Sequence, residues 1–295
     1  MKFFNVKEAS TEELRELQYK ELEILKKFKK IADQNNISFF ISGGTLIGAA
    51  RSGGFIPWDD DIDVMMWRSD YERLYSLRND IFKDTSLVLN RTDKKVNQHL
   101  TGMTLKDSKT VFINCHSLYE KGLTQSIGFD IMPLDYRPIG KLRSCLQMFF
   151  GAMFSLYNAN RLPDHQGRFV RAVATVPLKI LPDNLKFRLW KFAEERMIQL
   201  GNPSSDEAVE LGVGIKALKR HIKSKWFSRT KLMKFEDVEM PVPVGYKEYL
   251  NAVVGDYMQM PPKETRIPKH NTVLVDTKVS YSDKLRLNLI AEMES

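Results

Sequence analysis

The sequence predicts an α/β (α+β) protein in which helices flank a mixed sheet and a basic, mainly helical insertion interrupts the chain. Three observations lead to this prediction. Residues 1–136 alternate amphipathic helical patterns with apolar segments of strand length. Residues 137–225 have helical patterns, and residues 226–295 look like a segment that packs back on the core. The length of 295 residues and the 43% hydrophobic content are sufficient for a large globular core.

The N-terminal elements are predicted from capping and periodicity. Residues 10–34 form the first helix, because Ser10 and Glu13 have the spacing of a capping box and apolar residues recur behind them at helical spacing. A strand over "NNISFFI", a glycine turn and a helix over "TLIGAAR" follow. After a loop we expect a strand over "DDDIDVMM" and then a helix capped by Ser69.

The later elements complete the sheet and the insertion. Strand-length segments recur at "SLVLN", "MTLK", "TVFIN" and "GFDIMPLD", whereas Asp135, two residues after Pro133, is predicted to lie in a turn. In the insertion the clearest helix starts at Asp183 and ends at Gly201. The C-terminal segment contains one short helix followed by a proline-rich stretch.

The positive net charge is local. Between Arg137 and Lys191 there are ten Lys and Arg against two Asp, which accounts for the whole surplus of +8. The same segment contains the apolar run 145–157, which is too short to span a bilayer core of about 30 Å. Two alternatives stay open: an interfacial helix on an anionic membrane, and a buried helix with solvated lysines around it.

Composition also indicates the compartment and excludes one class of partner. Cys115 and Cys145 have neither a disulfide-framework nor a metal-ligand spacing, which favours a reducing compartment. The N-terminus has too few apolar residues before its charges for a signal peptide. We expect a cytoplasmic protein, with peripheral attachment to the inner face of the cell membrane as a further hypothesis. No nucleic-acid-reading motif accompanies the basic residues, so no nucleic-acid partner is expected.

Four aspartates occupy five positions at 59–63. In a strand, residues 59, 61 and 63 would share one face, while Asp60 would point to the other. Carboxylates this close raise each other's pKa unless a cation lies between them, and Mg²⁺ prefers such oxygen ligands. The alternative is an acidic turn that caps the next helix or is solvated at the surface. The apolar residues around Asp63 favour a core strand, and therefore a metal site.

A glycine turn strengthens the metal interpretation. The segment "SGGT" at 42–45 lies between a strand and a helix, where free backbone N–H groups can hold a phosphate. A Gly-Gly pair, 16 further residues and a D-x-D motif are typical of the nucleotidyltransferase fold, in which the turn holds nucleotide phosphates and the aspartates hold a metal. Asp130, flanked by apolar residues, is the predicted third carboxylate.

The chain resembles the LicD family, the phosphocholine transferases that also include the fukutin-related proteins. The resemblance is carried by "GGTLIGAARSGGFIPWDDDIDV", "KDSKTVF" and "FDIMPLD", and more loosely by "YKEYLNAVVGDYMQMPP" with the later His270; it leaves the basic insertion unmatched. It implies metal-dependent transfer of a phospho-alcohol from a CDP-activated donor, such as CDP-choline, to a sugar hydroxyl of a lipid-linked or free cell-surface glycan (lipopolysaccharide, teichoic acid or capsule), releasing CMP. Ser52 departs from the His or Lys that is frequent at its position.

The resemblance and the needs of phosphoryl transfer together imply roles for single residues. Asp61, Asp63 and Asp130 are the expected ligands of Mg²⁺ or Mn²⁺, and Asp130 also helps as general base. The expected donor- and substrate-binding residues are Gly43, Gly44, Thr45, Arg51, Trp58, Asp59, Lys106 and His270. The alternatives are solvated surface groups for Arg51 and Lys106, and a structural packing role for Trp58 and His270.

Two other functions are weighed against this one. A nucleotidyltransferase would move NMP from an NTP and release pyrophosphate, but "FDIMPLD" belongs to the LicD resemblance. A non-catalytic membrane-surface binding protein would have little reason to keep repelling carboxylates on a core strand. The sequence does not distinguish choline, ethanolamine, glycerol and ribitol phosphates as the transferred group.

Overall fold

The computed structural model describes residues 1–94, 96, 101–159, 180–213 and 217–294, which contain seven helices and twelve strands. The helices are α1 (Thr11–Gln34), α2 (Gly43–Ser52), α3 (Arg68–Ile81), α4 (Lys141–Ala159), α5 (Asp183–Leu200), α6 (Tyr246–Val254) and α7 (Asp283–Glu294). The strands are β1 (Lys2–Phe3), β2 (Phe40–Ile41), β3 (Asp63–Trp67), β4 (Leu87–Arg91), β5 (Met103–Asp107), β6 (Val111–Asn114), β7 (Gly128–Tyr136), β8 (Glu207–Val209), β9 (Ile222–Lys223), β10 (Thr230–Phe235), β11 (Val238–Pro243) and β12 (Thr272–Asp276).

A seven-stranded mixed sheet is the centre of the fold. Its order is β2-β3-β7-β5-β4, and β8 and β9 extend it from the end of β7. The strands β3 and β7 are parallel, whereas β2, β5 and β4 pair antiparallel with their neighbours. The register of the parallel pair places Asp63 beside Asp130. This mixed sheet with flanking helices agrees with the α+β, nucleotidyltransferase-like fold predicted from the sequence.

Helix α1 confirms the predicted capping box and covers one face of the sheet. The Ser10 hydroxyl accepts the N–H of Glu13 at 3.2 Å, and the Glu13 carboxylate accepts the N–H of Ser10 at 2.8 Å. Further along α1, Phe28 contacts the Phe129 ring on β7 at 5.5 Å between centroids. Because neighbouring residues of a strand point to opposite faces, α1 covers the face away from Asp130.

Two smaller sheets join distant parts of the chain. Strand β12 pairs with β1 on one side and β6 on the other, so residues near both ends of the chain lie in one sheet. The hairpin β10-β11 forms the other sheet. The residue before β12, Asn271, accepts the N–H of Cys115, so the C-terminal segment reaches the end of β6.

In the predicted insertion, α4 and α5 pack on each other around their own apolar cluster, in which Phe154 stacks on Trp190 at 5.4 Å. Glu194 of α5 is ion-paired with Arg91 of β4 at 2.7 Å, which fastens the helix pair to the core. Residues 160–179 of the insertion lie outside the described residues. Within the described ranges, no helix combines the length and the apolar character needed to cross a membrane.

Three local predictions are wrong. The strand expected from Asp59 starts at Asp63, because residues 59–62 form an irregular segment whose side chains and backbone bind other elements. The third helix starts at Arg68 with no side-chain cap, so Ser69 is not its N-cap. Asp135 lies inside β7 and not in a turn, since Arg68 binds both of its carboxylate oxygens, at 2.9 and 2.7 Å.

Candidate active site

The glycine turn brings the start of α2 against two carboxylates. Gly43 has a φ of +51°, which favours glycine, and a Cβ atom there would lie 2.0 Å from Oδ2 of Asp63. A Cβ atom at Gly44 would lie 2.3 Å from Oδ2 of Asp59. The Gly44 N–H also hydrogen-bonds the Asp63 carboxylate, which lowers the pKa of Asp63. The positive end of α2 therefore faces two acidic side chains of the chain itself. The expected contact of Gly43 and Gly44 with donor phosphates stays a prediction.

Thr45 fastens the start of β3 to the start of α2. Its buried hydroxyl accepts the backbone N–H of Asp63 at 2.9 Å, and the N–H of Ser42 donates to the Asp63 carbonyl at 3.0 Å. The contact seen for Thr45 is thus with the backbone of Asp63. Its expected contact with donor phosphates stays a prediction.

Asp63 and Asp130 are neighbours across the parallel pair β3–β7. Thr104 on β5 is the register partner of Asp130. Lys106, two residues further along β5, therefore points to the same face of the sheet as Thr104. Burial is the main cause that raises the pKa of Asp63 to about 8, and repulsion by Asp61 and Asp130 adds to it. Burial also raises the pKa of Asp130 to about 6, although the nearby Lys106 opposes this shift.

A cavity of about 140 Å³ lies beside these strands. Among its lining residues are Asp61, Asp130, Lys106 and His270. Burial raises the pKa of Asp61 and lowers that of Lys106, whereas the Asp60 carboxylate raises the pKa of His270. The structure thus brings acidic and basic candidates from four separate parts of the chain to one cavity.

The acidic run provides a donor set that fits a divalent cation. Asp59, Asp60 and Asp61 each offer a carboxylate oxygen, and these three oxygens lie within 4.8 Å of one another. Burial, followed by repulsion from Asp61, raises the pKa of Asp59 to about 7. The pKa of Asp61 is raised as well, whereas Asp60, despite its burial, has a lowered pKa because His270 hydrogen-bonds its carboxylate. Crowded carboxylate oxygens are a suitable environment for Mg²⁺ or Mn²⁺. The expected ligand set of Asp61, Asp63 and Asp130 stays a prediction.

Asp60 has a role that the sequence did not reveal. This buried carboxylate accepts the backbone N–H of Lys269 at 3.1 Å and of His270 at 2.9 Å. Its Oδ2 atom also lies 3.3 Å from Nδ1 of His270. Asp60 therefore binds the C-terminal segment to the acidic run and places His270 in the cavity.

Glu21 is a second acidic residue that the sequence analysis missed. It is 2% exposed, lines the same cavity, and its Oε2 atom has no hydrogen-bond partner within the described residues. Burial, with repulsion by Asp61, raises its pKa well above the ordinary value. A signal was present in the sequence, because Glu21 falls on the apolar stripe of α1 between Leu17 and Ile24.

Two expected substrate-binding residues contact the C-terminal segment. Arg51 donates to the carbonyl of Tyr257 at 3.0 Å and to that of Gln259 at 3.3 Å, and it lies about 10 Å along α2 from Gly44 at helical rise. The half-buried Trp58 has the Arg266 guanidinium 5.4 Å from its ring centroid. Their expected roles toward the substrate stay predictions.

Comparison with known families matches the part of the chain that holds this geometry. Residues 36–137 match the family model described as LicD/FKTN/FKRP, nucleotidyltransferase domain. The matched range includes the glycine turn, the acidic run, Lys106 and Asp130. The resemblance inferred from the sequence motifs is therefore confirmed for this domain.

The similarity to one characterised relative extends over most of the chain. The lipopolysaccharide cholinephosphotransferase LicD of Haemophilus influenzae is 27% identical over 268 residues, which cover 87% of this chain and 96% of that protein. An uncharacterized protein of Rickettsia prowazekii is 30% identical over 118 residues, covering 33% of this chain and 43% of that protein. An uncharacterized protein of Rickettsia typhi is 40% identical over 48 residues, 16% of each chain.

The raised pKa of Asp63 predicts a pH-dependent stability. A raised pKa means that the folded protein holds this proton more tightly than the unfolded chain does. Ionisation of Asp63 therefore lowers the free energy of unfolding as the pH rises from 3.8 to about 8. We expect Asp63→Asn to be more stable than the wild type at pH 8, by at least about 1.4 kcal/mol, and this gain to shrink toward pH 5.

The measurement is thermal unfolding across this pH range, with EDTA and with Mg²⁺. Mg²⁺ should raise the Tm of the wild type most at pH 8 and have a much smaller effect on Asp63→Asn. Asp33→Asn, at an exposed ion pair on α1, is the matched control. Equal pH dependence and equal Mg²⁺ response in wild type and Asp63→Asn would contradict the prediction.

The contacts of Asp60 predict a local effect of its substitution. Lys269 and His270 donate to different oxygens of Asp60, so Asp60→Asn leaves one acceptor for two N–H groups and removes its charge. The amides of Lys269 and His270 should therefore exchange faster with solvent. The pKa of His270 should fall, because Asp60 is the main cause that raises it. Amide exchange and NMR titration of the imidazole measure both effects.

Asp276 is a matched control for Asp60, because its buried carboxylate also accepts two backbone N–H groups, those of Lys278 and Val279. Asp276→Asn should affect those two amides and leave His270 unchanged. If Asp60→Asn changes neither the exchange at Lys269 and His270 nor the imidazole pKa, Asp60 does not hold the C-terminal segment.

Proposed function

We propose that this chain, whose residues 36–137 are a LicD-family nucleotidyltransferase domain, transfers a phosphocholine-like group from a CDP-activated donor to a sugar hydroxyl of a cell-surface glycan. A transferase of phosphate-containing groups is supported by the similarity to the Haemophilus influenzae cholinephosphotransferase over most of both chains. That relative's name specifies lipopolysaccharide, which makes a lipopolysaccharide or a related lipid-linked glycan the acceptor that we propose here.

One observation carries the proposal. Asp63 and Asp130, from neighbouring parallel strands, lie on one face of the sheet beside the N-terminus of α2. Phosphoryl transfer requires mainly positioning and neutralisation of charge, and this arrangement provides groups for both. Because Gly43 and Gly44 have no side chains, the carboxylates of Asp63 and Asp59 lie directly against the start of α2.

Asp61, Asp63 and Asp130 are the residues that would hold a divalent cation in this proposal, with Asp59 next to them at the glycine turn. Their partial burial and raised pKa values mean that a cation would relieve a repulsion that the fold already contains. When bound, Mg²⁺ or Mn²⁺ would offset the charge of the donor's phosphate oxygens and of the leaving nucleotide.

The basic residues of the cavity complement the acidic ones. Lys106 lies on the strand next to Asp130, and His270 is held in place by Asp60. Both line the cavity that Asp61 and Asp130 also line. We assign to Lys106 and His270 the orientation of the diphosphate and of the acceptor hydroxyl, respectively.

Asp130 is the proposed general base. Its pKa of about 6 leaves it ionised at neutral pH and still able to accept a proton. The acceptor oxygen forms a bond to the phosphorus that carries the alcohol, and its proton passes to Asp130. The bond between that phosphorus and the bridging oxygen of the diphosphate breaks, and CMP leaves with that oxygen.

Product analysis tests this function. The protein is incubated with Mg²⁺ and, in separate reactions, CDP-choline, CDP-ethanolamine, CDP-glycerol, CDP-ribitol, CTP and ATP, each with and without a glycan acceptor. We expect CMP from one CDP-alcohol, with a rate that increases when acceptor is added. Pyrophosphate release from an NTP would instead support transfer of a nucleotide.

Two variants connect the product to the site. Asp130→Asn should lower kcat/KM by about 10²- to 10⁴-fold, the usual contribution of a general base. Asp237→Asn replaces an exposed acid that does not line the cavity, so this variant should keep wild-type kinetics. The proposal fails if no donor yields CMP, or if Asp130→Asn retains full activity.

A further inference from the structure

Helix α4 is apolar on two opposite faces. One face packs on α5, where Phe154 stacks on Trp190. The other exposes Leu142, Leu146 and Phe149, which are 76%, 41% and 60% exposed and recur at the spacing of one helical stripe. A helix that packs on one side normally has a polar outer face. This exposed stripe needs a physical explanation.

The exposed surface continues from α4 onto α5. The Phe150 ring contacts Phe149 at 5.3 Å and Phe192 at 5.8 Å between centroids. Phe192 itself is 42% exposed. Leu142, Leu146, Phe149 and Phe192 thus form one surface across both helices, which we call the outer apolar face.

Positive charge borders the outer apolar face. Lys141 and Arg143 are exposed at the start of α4, which contains no Asp or Glu, and Arg188 is exposed on α5. The Arg196 guanidinium lies 5.0 Å from the ring centroid of Phe192. One exposed acid, Glu195, lies three residues after Phe192 on α5, so the cations of this border outnumber the acids. Apolar side chains bordered mainly by cations match an anionic bilayer surface, with its acyl chains below and its negative headgroups above.

We propose that the outer apolar face binds the surface of an anionic phospholipid bilayer, with α4 lying in the plane of the membrane. The 19 residues of α4 make a helix about 28 Å long, which would lie along the interface and not across it. A second copy of the chain is a poorer occupant, because two such faces would bring cations of the same sign together. This inference goes beyond the proposed function and uses none of its catalytic groups.

The two cysteines permit a direct test. Cys145 is exposed on α4 between Leu142 and Leu146, and Cys115 is exposed on the short turn after β6. A polarity-sensitive fluorophore is attached to Cys145 in a Cys115→Ser protein, and to Cys115 in a Cys145→Ser protein. Vesicles of phosphatidylglycerol and phosphatidylcholine should shift the Cys145 emission to the blue and leave the Cys115 emission unchanged.

Co-sedimentation with the same vesicles gives a second readout. The double variant Leu146→Glu, Phe149→Glu should bind at least about tenfold more weakly, because burying even one such side chain is worth more than a tenfold change in affinity. Leu287→Glu, at a leucine 54% exposed on α7, is the matched control and should bind like the wild type. Added salt should weaken wild-type binding, since the cations contribute to it.

Three outcomes would overturn the proposal: no sedimentation of the wild type with anionic vesicles, unchanged sedimentation of the double variant, or a Cys145 blue shift that follows protein concentration without vesicles. The last outcome would indicate a second copy of the chain on this face. Vesicle binding is measured without donor or metal, and CMP release is measured with a detergent-free soluble acceptor. Failure of one proposal is therefore distinguishable from failure of the other.

Discussion

Repulsion between enclosed carboxylates is the constraint on which the site depends. Asp61, Asp63 and Asp130 lie where burial disfavours their charged forms. The charges of Asp61 and Asp130 also raise the pKa of Asp63, and the charge of Asp61 raises the pKa of Asp130. Such a cluster costs stability unless other groups compensate for it. The surrounding structure provides part of this compensation through the Gly44 N–H and the Lys106 ammonium group. The remaining unbalanced charge is the physical reason to expect a cation.

The four aspartates of the acidic run make different contacts. Asp60 binds the backbone of the C-terminal segment, whereas Asp59 and Asp63 lie against the glycine turn and Asp61 lines the cavity. This division explains why so much negative charge is placed at the entry to a core strand. One carboxylate attaches a distant segment, and in the proposed function its neighbours hold the cation.

Local patterns predicted the elements of the core well. The capping box of α1, the glycine turn, and the strand positions of Asp63 and Asp130 were all recognisable, because each depends on residues close in sequence. The bond from Asp60 to His270 was not, because it joins residues 210 apart and no local periodicity specifies it. Glu21 was overlooked although it lies on the apolar stripe of its helix, where an acid is unusual and therefore informative. The irregular backbone at 59–62 also could not be predicted from the alternation of side chains expected in a strand, because its conformation depends on contacts with other elements.

The central claim is that Asp61, Asp63 and Asp130 hold one divalent cation. Anomalous diffraction from crystals soaked with Mn²⁺ tests it most directly. The account predicts one anomalous peak within about 2–2.5 Å of an oxygen from each of these three side chains. A peak bound only by Asp59, Asp60 and Asp61, or carboxylates that point apart with no peak between them, would contradict it.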